Sequence, residues 1–389
     1  MWRSRRSSRK RRGPGAAIAA AALLLAACGG EGGGPAAPET PEPRAQTGSM
    51  LLGADVSALA RIEQAGGVFR DSGKVEDALQ LLRAHGARIF RLRLFLAPNG
   101  QEVQVNDLAY TIALARRVKA TGAKLLLDFH YSDTWADPGH QDIPAAWQGL
   151  GVDSLERRVE SYSKDTIAQL KAAGALPDIV QIGNEIDGGI LWPVGQVSGT
   201  GYDTPAQWAE LARLLQAGMR GVRGALAPGD SVRIMLHYSQ GGSAGGTQWF
   251  FDHMAGAGVP YDIIGLSYYP FWHGTLADLS ANLQATAARY GHDIVVVETS
   301  YPWRTGGWED MATTRGAMTW ATSPDGQAQF ARDLVSAVAQ TPGGHGLGVL
   351  WWYPEAIQVP GVFVWGGGSL SLFDAGGNLL PAAGALLGR

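Results

Sequence analysis

The stretch IVQIGNEIDGG, residues Ile179–Gly189, carries an apolar, mostly β-branched run straight into an amide and a carboxylate, Asn184 and Glu185, and then into a glycine pair. A run of this kind is what a strand covered on both faces requires. The polar pair that ends it either opens an ordinary loop or brings a carboxylate to the mouth of a barrel. The rest of the chain decides between the two.

Seven further runs have the same character: Leu51–Val56, Arg88–Phe95, Lys124–His130, Val232–Tyr238, Asp262–Tyr269, Asp293–Ser300 and Leu347–Tyr353. With Asp178–Asn184 they make eight candidate strands. Amphipathic segments lie between them. Lys74–Ala84 carries Val75, Ala78, Leu79 and Leu82 at helical spacing, and Asp107–Ala120 and Thr204–Leu226 do likewise. Gly86, Gly122 and Gly291 stand just ahead of strands two, three and seven, where a helix end favours glycine. Eight βα units over residues 49–389, with no break in composition, predict a single α/β domain. Its expected fold is a (β/α)8 TIM barrel with enlarged βα loops. A doubly wound open sheet would not need eight units. No G-x-G-x-x-G or P-loop lysine follows a strand, so nothing supports nucleotide binding.

Ahead of the barrel the chain changes. Arg3, Arg5, Arg6, Arg9, Lys10, Arg11 and Arg12 form a cationic opening, and Gly15–Ala27 is apolar. That apolar run falls short of the roughly 20 residues a spanning helix needs. It ends in LAAC, Leu25–Cys28, and Cys28 is the only cysteine in the chain, which excludes internal disulfides. The arrangement resembles a bacterial lipobox. Residues 1–27 are then a lipoprotein signal peptide, and Cys28 carries the acyl chains that anchor an exported protein to a membrane. Residues 28–48, rich in Gly, Pro and Ala, read as a flexible tether. A net charge of −3 gives no general attraction to nucleic acid, and none is expected as a partner. The protein is expected to act as a monomer.

Active sites of such barrels lie at the C-terminal ends of the strands. The expected strands bring there Arg91 and Arg93, Asp128 and His130, Asn184 and Glu185, His237, Tyr268 and Tyr269, Glu298, and Trp352. One buried carboxylate is readily explained as the partner of an arginine. Two glutamates at the tips of strands four and seven are different, because those strands lie three places apart round the ring and their side chains can face each other. Paired carboxylates flanking a pocket suit glycoside hydrolysis, one as acid and the other as nucleophile or base. Their pKa values must be held apart. Arg91 near Glu298 favours its ionised form, and the less charged surroundings of Glu185 favour the acid. There are 13 tryptophans, many beside polar residues in expected loops. Each alone suggests local packing; together they suggest a surface on which sugar rings stack.

Four segments carry a resemblance: HYSDTWADPGHQDIPAAW (His130–Trp147), GNEIDGGILWPVG (Gly183–Gly195), GLSYYPFWHG (Gly265–Gly274) and VVVETSYPW (Val295–Trp303). With GADVSALARIEQAGGVF (Gly53–Phe69), FRLRLFLAPNG (Phe90–Gly100) and LSLFDAGGNLLPA (Leu370–Ala382), the chain resembles glycoside hydrolase family 53, the arabinogalactan endo-β-1,4-galactanases. The resemblance implies a retaining endo-acting hydrolase whose substrate partner is β-1,4-galactan. By position, Glu185 is then the acid/base and Glu298 the nucleophile. Asn184 would bind the sugar 2-hydroxyl, Arg91, His237 and Tyr269 would orient and tune the glutamates, and Trp352 would floor the cleavage subsite. His130, Asp133, Trp135 and Trp192 would line the cleft. No cofactor is expected. No H-x-x-x-H or H-E-x-x-H pair points to zinc. Some bacterial members of the family hold a structural calcium near the later strands. Glu309, Asp310 and Asp325 could supply oxygens, but their spacing does not resemble a calcium loop.

One departure stands out. Where the family commonly has tryptophan-glutamate-proline after strand eight, this chain has Trp352-Tyr353-Pro354-Glu355, which leaves substrate preference in that loop open. Two other readings remain at this level: a related hydrolase acting on another β-linked polysaccharide, and a glycan-binding lipoprotein without catalysis.

Overall fold

The computed structural model describes residues 50–388 apart from 310, 311 and 314. The expected signal peptide, Cys28, the tether and Asp310 lie outside the described residues.

Eight parallel strands hydrogen-bond in chain order and close into a barrel. They are β1 (Leu51–Asp55), β2 (Ile89–Leu94), β3 (Lys124–Phe129), β4 (Ile179–Ile182), β5 (Arg233–Tyr238), β6 (Ile263–Ser267), β7 (Asp293–Thr299) and β8 (Gly346–Trp352). The ring closes between β8 and β1, in register from Leu51 opposite Gly348 to Asp55 opposite Trp352. Helices follow the strands in turn: α1 (Ala78–Ala84), α2 (Leu108–Ala120), α3 (Val152–Ala172), α4 (Pro205–Gly224), α5 (Ala244–Gly256), α6 (Leu276–Tyr290), α7 (Pro324–Ala339) and α8 (Pro381–Leu387). Asp107 and Thr204 cap α2 and α4 by accepting from the N–H of Tyr110 and Gln207, which fixes where both helices begin. The first helix starts later than its apolar spacing predicts. Lys74 and Val75 pair with Arg70 and Asp71 as a small hairpin, Val75 is 65% exposed, and Asp77 caps a helix that opens at Ala78.

Inside the barrel, side chains form stacked layers. Ile89, Leu126, Ile179, Met235, Ile263, Val295 and Leu350 make an apolar layer toward the bottom. Two residues further along each strand, the same face carries Arg91, Asp128, Gln181 and His237, because successive residues alternate sides. A hydrophobic floor therefore lies directly beneath a polar layer. Gly265 occupies the corresponding place on β6, where a Cβ would come within 3.0 Å of the Met235 sulfur and 3.2 Å of Val297 Cγ1.

β7 breaks this alternation. Val295 and Val297 both face the apolar layer, while Ile294 and Val296 pack toward the helices. Regular pleating would send Glu298 outward with Val296. Instead the pairing with β6 slips, from Leu266 opposite Val296 to Ser267 opposite Glu298. The pairing with β8 slips between Val296 and Thr299 as well. A bulge re-aims a side chain, and here it turns Glu298 into the barrel mouth.

Candidate active site

The loop after β4 is built to project Glu185. Gly183 has φ of 84° and Glu185 itself is left-handed, with φ 46° and ψ 58°. That conformation costs a non-glycine residue about 1 kcal/mol and is the kind of strain found at functional positions. Behind it, Trp192 Nε1 donates to the Gly188 carbonyl at 2.9 Å. The ring lies so close to Gly188 that a Cβ there would sit 2.6 Å from it.

Arg91 organises the floor. It is 1% exposed, and its five N–H groups all have acceptors. Nε donates to Gln181 Oε1 at 3.2 Å. Nη1 serves Asp55 at 3.0 Å and Glu298 Oε1 at 2.7 Å. Nη2 serves Asp128 at 2.8 Å and Asn184 Oδ1 at 2.6 Å. One guanidinium thus holds the carboxylate of β7, the amide beside Glu185 and two further aspartates in a single frame. The other oxygen of Glu298 accepts from the Tyr269 hydroxyl at 3.0 Å.

Two histidines stand in this frame with their tautomers fixed by their neighbours. His130 Nδ1 accepts from the Ala136 N–H at 2.9 Å, leaving Nε2–H for Asp128 at 3.1 Å. His237 Nδ1 receives the Glu185 N–H at 3.3 Å, and a backbone N–H cannot reverse its role. His237 Nε2–H therefore donates to Ser267 Oγ at 2.9 Å, and that hydroxyl donates to Glu185 Oε1 at 2.6 Å. Complete burial, with Arg91 nearby, holds His237 well below the ordinary imidazole pKa and so neutral.

The two glutamates feel opposite surroundings. Burial, followed by the charge of Glu298, raises the Glu185 carboxyl well above its usual range. Burial also raises Glu298, and the charges of Asp55 and Asp128 add to the rise, while Arg91 and the Tyr269 hydroxyl oppose it, so its carboxyl is raised less than that of Glu185. Of the pair, Glu185 therefore holds its proton to higher pH than Glu298. Burial opposes ionisation of Asp128 too, yet Arg91 and His130 outweigh it and hold that carboxyl below the ordinary range.

Both glutamates line one cavity of about 340 Å³, together with Arg91, His130, Trp135, Asn184, Tyr269 and Trp352. Trp352 stands edge-on to Trp365 at 4.6 Å, and Trp365 packs against Tyr269 and Trp272. Two residues expected to line the cleft lie elsewhere, while His237, expected to orient the glutamates, stands behind Glu185 and reaches it directly and through Ser267. Asp133 braces loops, its two oxygens accepting from the N–H groups of Ala97 and Ala145. Trp192 supports the Gly188 turn, because its indole N–H is engaged there. The departure after β8 is also located: Tyr353, with φ of 62°, joins the cavity wall, and Glu355 folds behind it to accept from the Ala58 N–H at 2.9 Å. Burial lifts the Glu355 carboxyl to about 8.

Asp55, Gln181 and Ser267 take part without having been expected. Asp55 and Gln181 sit at inward positions of β1 and β4, so following the alternation residue by residue finds them. Ser267 ends β6 beside the expected Tyr268 and Tyr269. Among the described residues, no group of three or more His, Cys, Asp or Glu is placed to hold a metal. Glu309 accepts from the N–H groups of Gly306 and Trp308 within its own loop.

Comparison with known proteins agrees with this geometry. The sequence profile described as Glycosyl hydrolase family 53 matches residues 51–386. The chain is 34% identical to the endo-β-1,4-galactanase of Bacillus subtilis (strain 168), covering 79% of this chain and 71% of that one. It is 35% identical to the arabinogalactan endo-β-1,4-galactanase of Cellvibrio japonicus, covering 85% and 89%. The structure superposes on the Ignisphaera aggregans GH53 catalytic domain with a TM-score of 0.80 at 30% identity, over 90% of this chain and 97% of that one. The protein, a glycoside hydrolase built on a (β/α)8 barrel, belongs to glycosyl hydrolase family 53.

Proposed function

We propose that this protein cleaves β-1,4-galactosidic bonds within galactan and type I arabinogalactan, with retention at the anomeric carbon. The observation that supports this most is the pair Glu185 and Glu298 on one cavity, the first carboxyl raised well above its usual range and the second drawn back toward the ionised form by Arg91. Glu185 donates its proton to the leaving glycosidic oxygen while Glu298 attacks the anomeric carbon. A covalent galactosyl ester forms and the aglycone departs. Glu185, now a carboxylate, takes a proton from water, which attacks the same carbon and releases Glu298. The Ser267 hydroxyl donates to Oε1 of Glu185, so the transferable proton sits on Oε2. Asn184 spends one amide hydrogen on the Ala136 carbonyl at 2.8 Å and keeps the second for a sugar hydroxyl. Trp352, Trp135 and Trp365 offer ring faces and edges to the sugar.

Incubation with β-1,4-galactan, with product configuration followed by NMR, tests substrate and stereochemistry together. Initial release of β-anomer is expected. Release from mannan, xylan or cellulose in place of galactan would overturn the substrate assignment.

Ser267→Ala removes a hydrogen bond that favours ionised Glu185. The Glu185 pKa then rises further, so the acid stays protonated to higher pH. The alkaline limb of the kcat/KM profile is expected to move to higher pH. An unmoved limb would detach Ser267 from the acid.

We further propose that the protein is an exported lipoprotein, held on a membrane through acylated Cys28 and acting as a monomer. The apolar run ending in LAAC supports this reading. Cys28→Ser should transfer the protein from the membrane fraction to the soluble fraction on cell fractionation; retention in the membrane fraction would count against lipidation.

A further inference from the structure

The wall of the cavity formed by Trp352 and Trp365 rests on an irregular segment. Gly366, Gly367 and Gly368 follow Trp365 with φ values of 62°, 57° and 78°. Three consecutive left-handed residues are tolerated only by glycine, and such a turn has little stiffness of its own. The indole of Trp365 needs a fixed direction all the same, since it packs against Trp352 at 4.6 Å and Tyr269 at 5.8 Å, and Tyr269 holds Glu298.

The stiffness comes from the loop after β7. Arg304 Nη2 donates to the Gly367 carbonyl at 2.7 Å. Trp303 Nε1 donates to the Gly368 carbonyl at 3.0 Å, and the Trp303 backbone N–H donates to the Ser369 carbonyl at 2.9 Å. Three successive carbonyls are thus held by two adjacent residues. The guanidinium of Arg304 lies over the Trp303 ring, 5.3 Å from its centroid, so the two donors brace each other. The loops meet backbone to backbone: a Cβ on Gly307 would fall 2.5 Å from the Gly366 carbonyl oxygen.

We propose that Arg304 and Trp303 form a clamp that sets the direction of Trp365, and through it the grip on the sugar units lying against the Trp352–Trp365 wall. Both are positioning residues, acting through the glycine turn, and neither lines the cavity. The inference rests on the galactan-cleaving function proposed above.

The test is Arg304→Met, which keeps the stem and removes the donors, with Arg304→Lys as the conservative variant and Trp303→Phe as the ring-preserving one. Each is compared with wild type on polymeric galactan and on an aryl β-galactoside that occupies only the cleavage subsite. For Arg304→Met, KM on the polymer is expected to rise about tenfold, the equivalent of one net hydrogen bond. The expected kcat stays within about twofold, on the reading that uniform binding is what is lost. The aryl galactoside, whose single sugar meets Trp352 but no further units against Trp365, should lose clearly less than the polymer, Arg304→Lys should recover part of the polymer KM, and Trp303→Phe should raise it. An unchanged polymer KM in both Arg304→Met and Trp303→Phe overturns the clamp. So does an equal loss on both substrates with a lowered unfolding temperature, which would mean a general structural role. A wild-type enzyme inactive on galactan would instead sink the underlying function.

Discussion

Glu298→Ala is expected to lower kcat/KM on galactan by about 10⁴-fold or more, the scale seen when a covalent nucleophile is removed. The loss alone does not separate a nucleophile from a carboxylate that merely supports the site, so the argument turns on rescue. Alanine leaves room where the carboxylate stood, on the face of the sugar opposite the leaving group. A small external anion such as azide can enter that space and attack the anomeric carbon once. A single displacement inverts configuration, so the rescued product should be the α-galactosyl azide. Glu185→Ala should behave in the opposite sense. With an aryl galactoside whose leaving group needs no protonation, Glu298 still forms the ester, and azide then attacks from the face Glu185 served, giving the β-galactosyl azide. NMR of the two products checks both assignments. A β-azide from the Glu298 variant, or activity within tenfold of wild type, would remove Glu298 from the nucleophile role.

The two glutamates and the barrel that carries them were legible in the sequence because burial on both faces leaves a dense signal. All eight apolar runs became strands, with their ends shifted by a residue or two. What remained hidden follows from local backbone geometry. The alternation of DIVVVETS places Glu298 on the helix-facing side, and only the bulge against β6 and β8 turns it inward; composition carries no mark of a bulge. Asp133 and Trp192 stood in loops rich in polar and aromatic residues. Such loops bring side chains near a cleft without deciding which ones face it. Asp133 was drawn off by two backbone N–H groups, and Trp192 by the Gly188 carbonyl. Val75 fell at helical spacing, but Asp77 offered the stronger local signal by capping the next residues.

Arg91→Met is the second large effect, and it separates two jobs that one side chain performs. The guanidinium is the shared counter-charge of Asp55, Asp128 and Glu298, all nearly inaccessible to water. Methionine fills similar space but leaves Asp128 and Glu298 without their cation and Asp55 with only Arg93 at 4.0 Å. Breaking a buried ion pair from one side destabilises by about 3–5 kcal/mol, and denaturant unfolding should show a loss on that scale. Arg91→Lys isolates the second job. Lysine keeps the positive charge but has three donors where arginine used five, so not every acceptor can be served. Arg91 favours ionised Glu298, and a weaker contact lets that pKa rise. Since Glu298 must be ionised to attack, fewer molecules are competent at a given acidic pH. The acidic limb of the kcat/KM profile is therefore expected to move to higher pH in Arg91→Lys, with a smaller loss of stability than in Arg91→Met. If stability falls while the acidic limb stays in place, Arg91 only holds the barrel floor together, and the ionised state of Glu298 must come from Tyr269 instead.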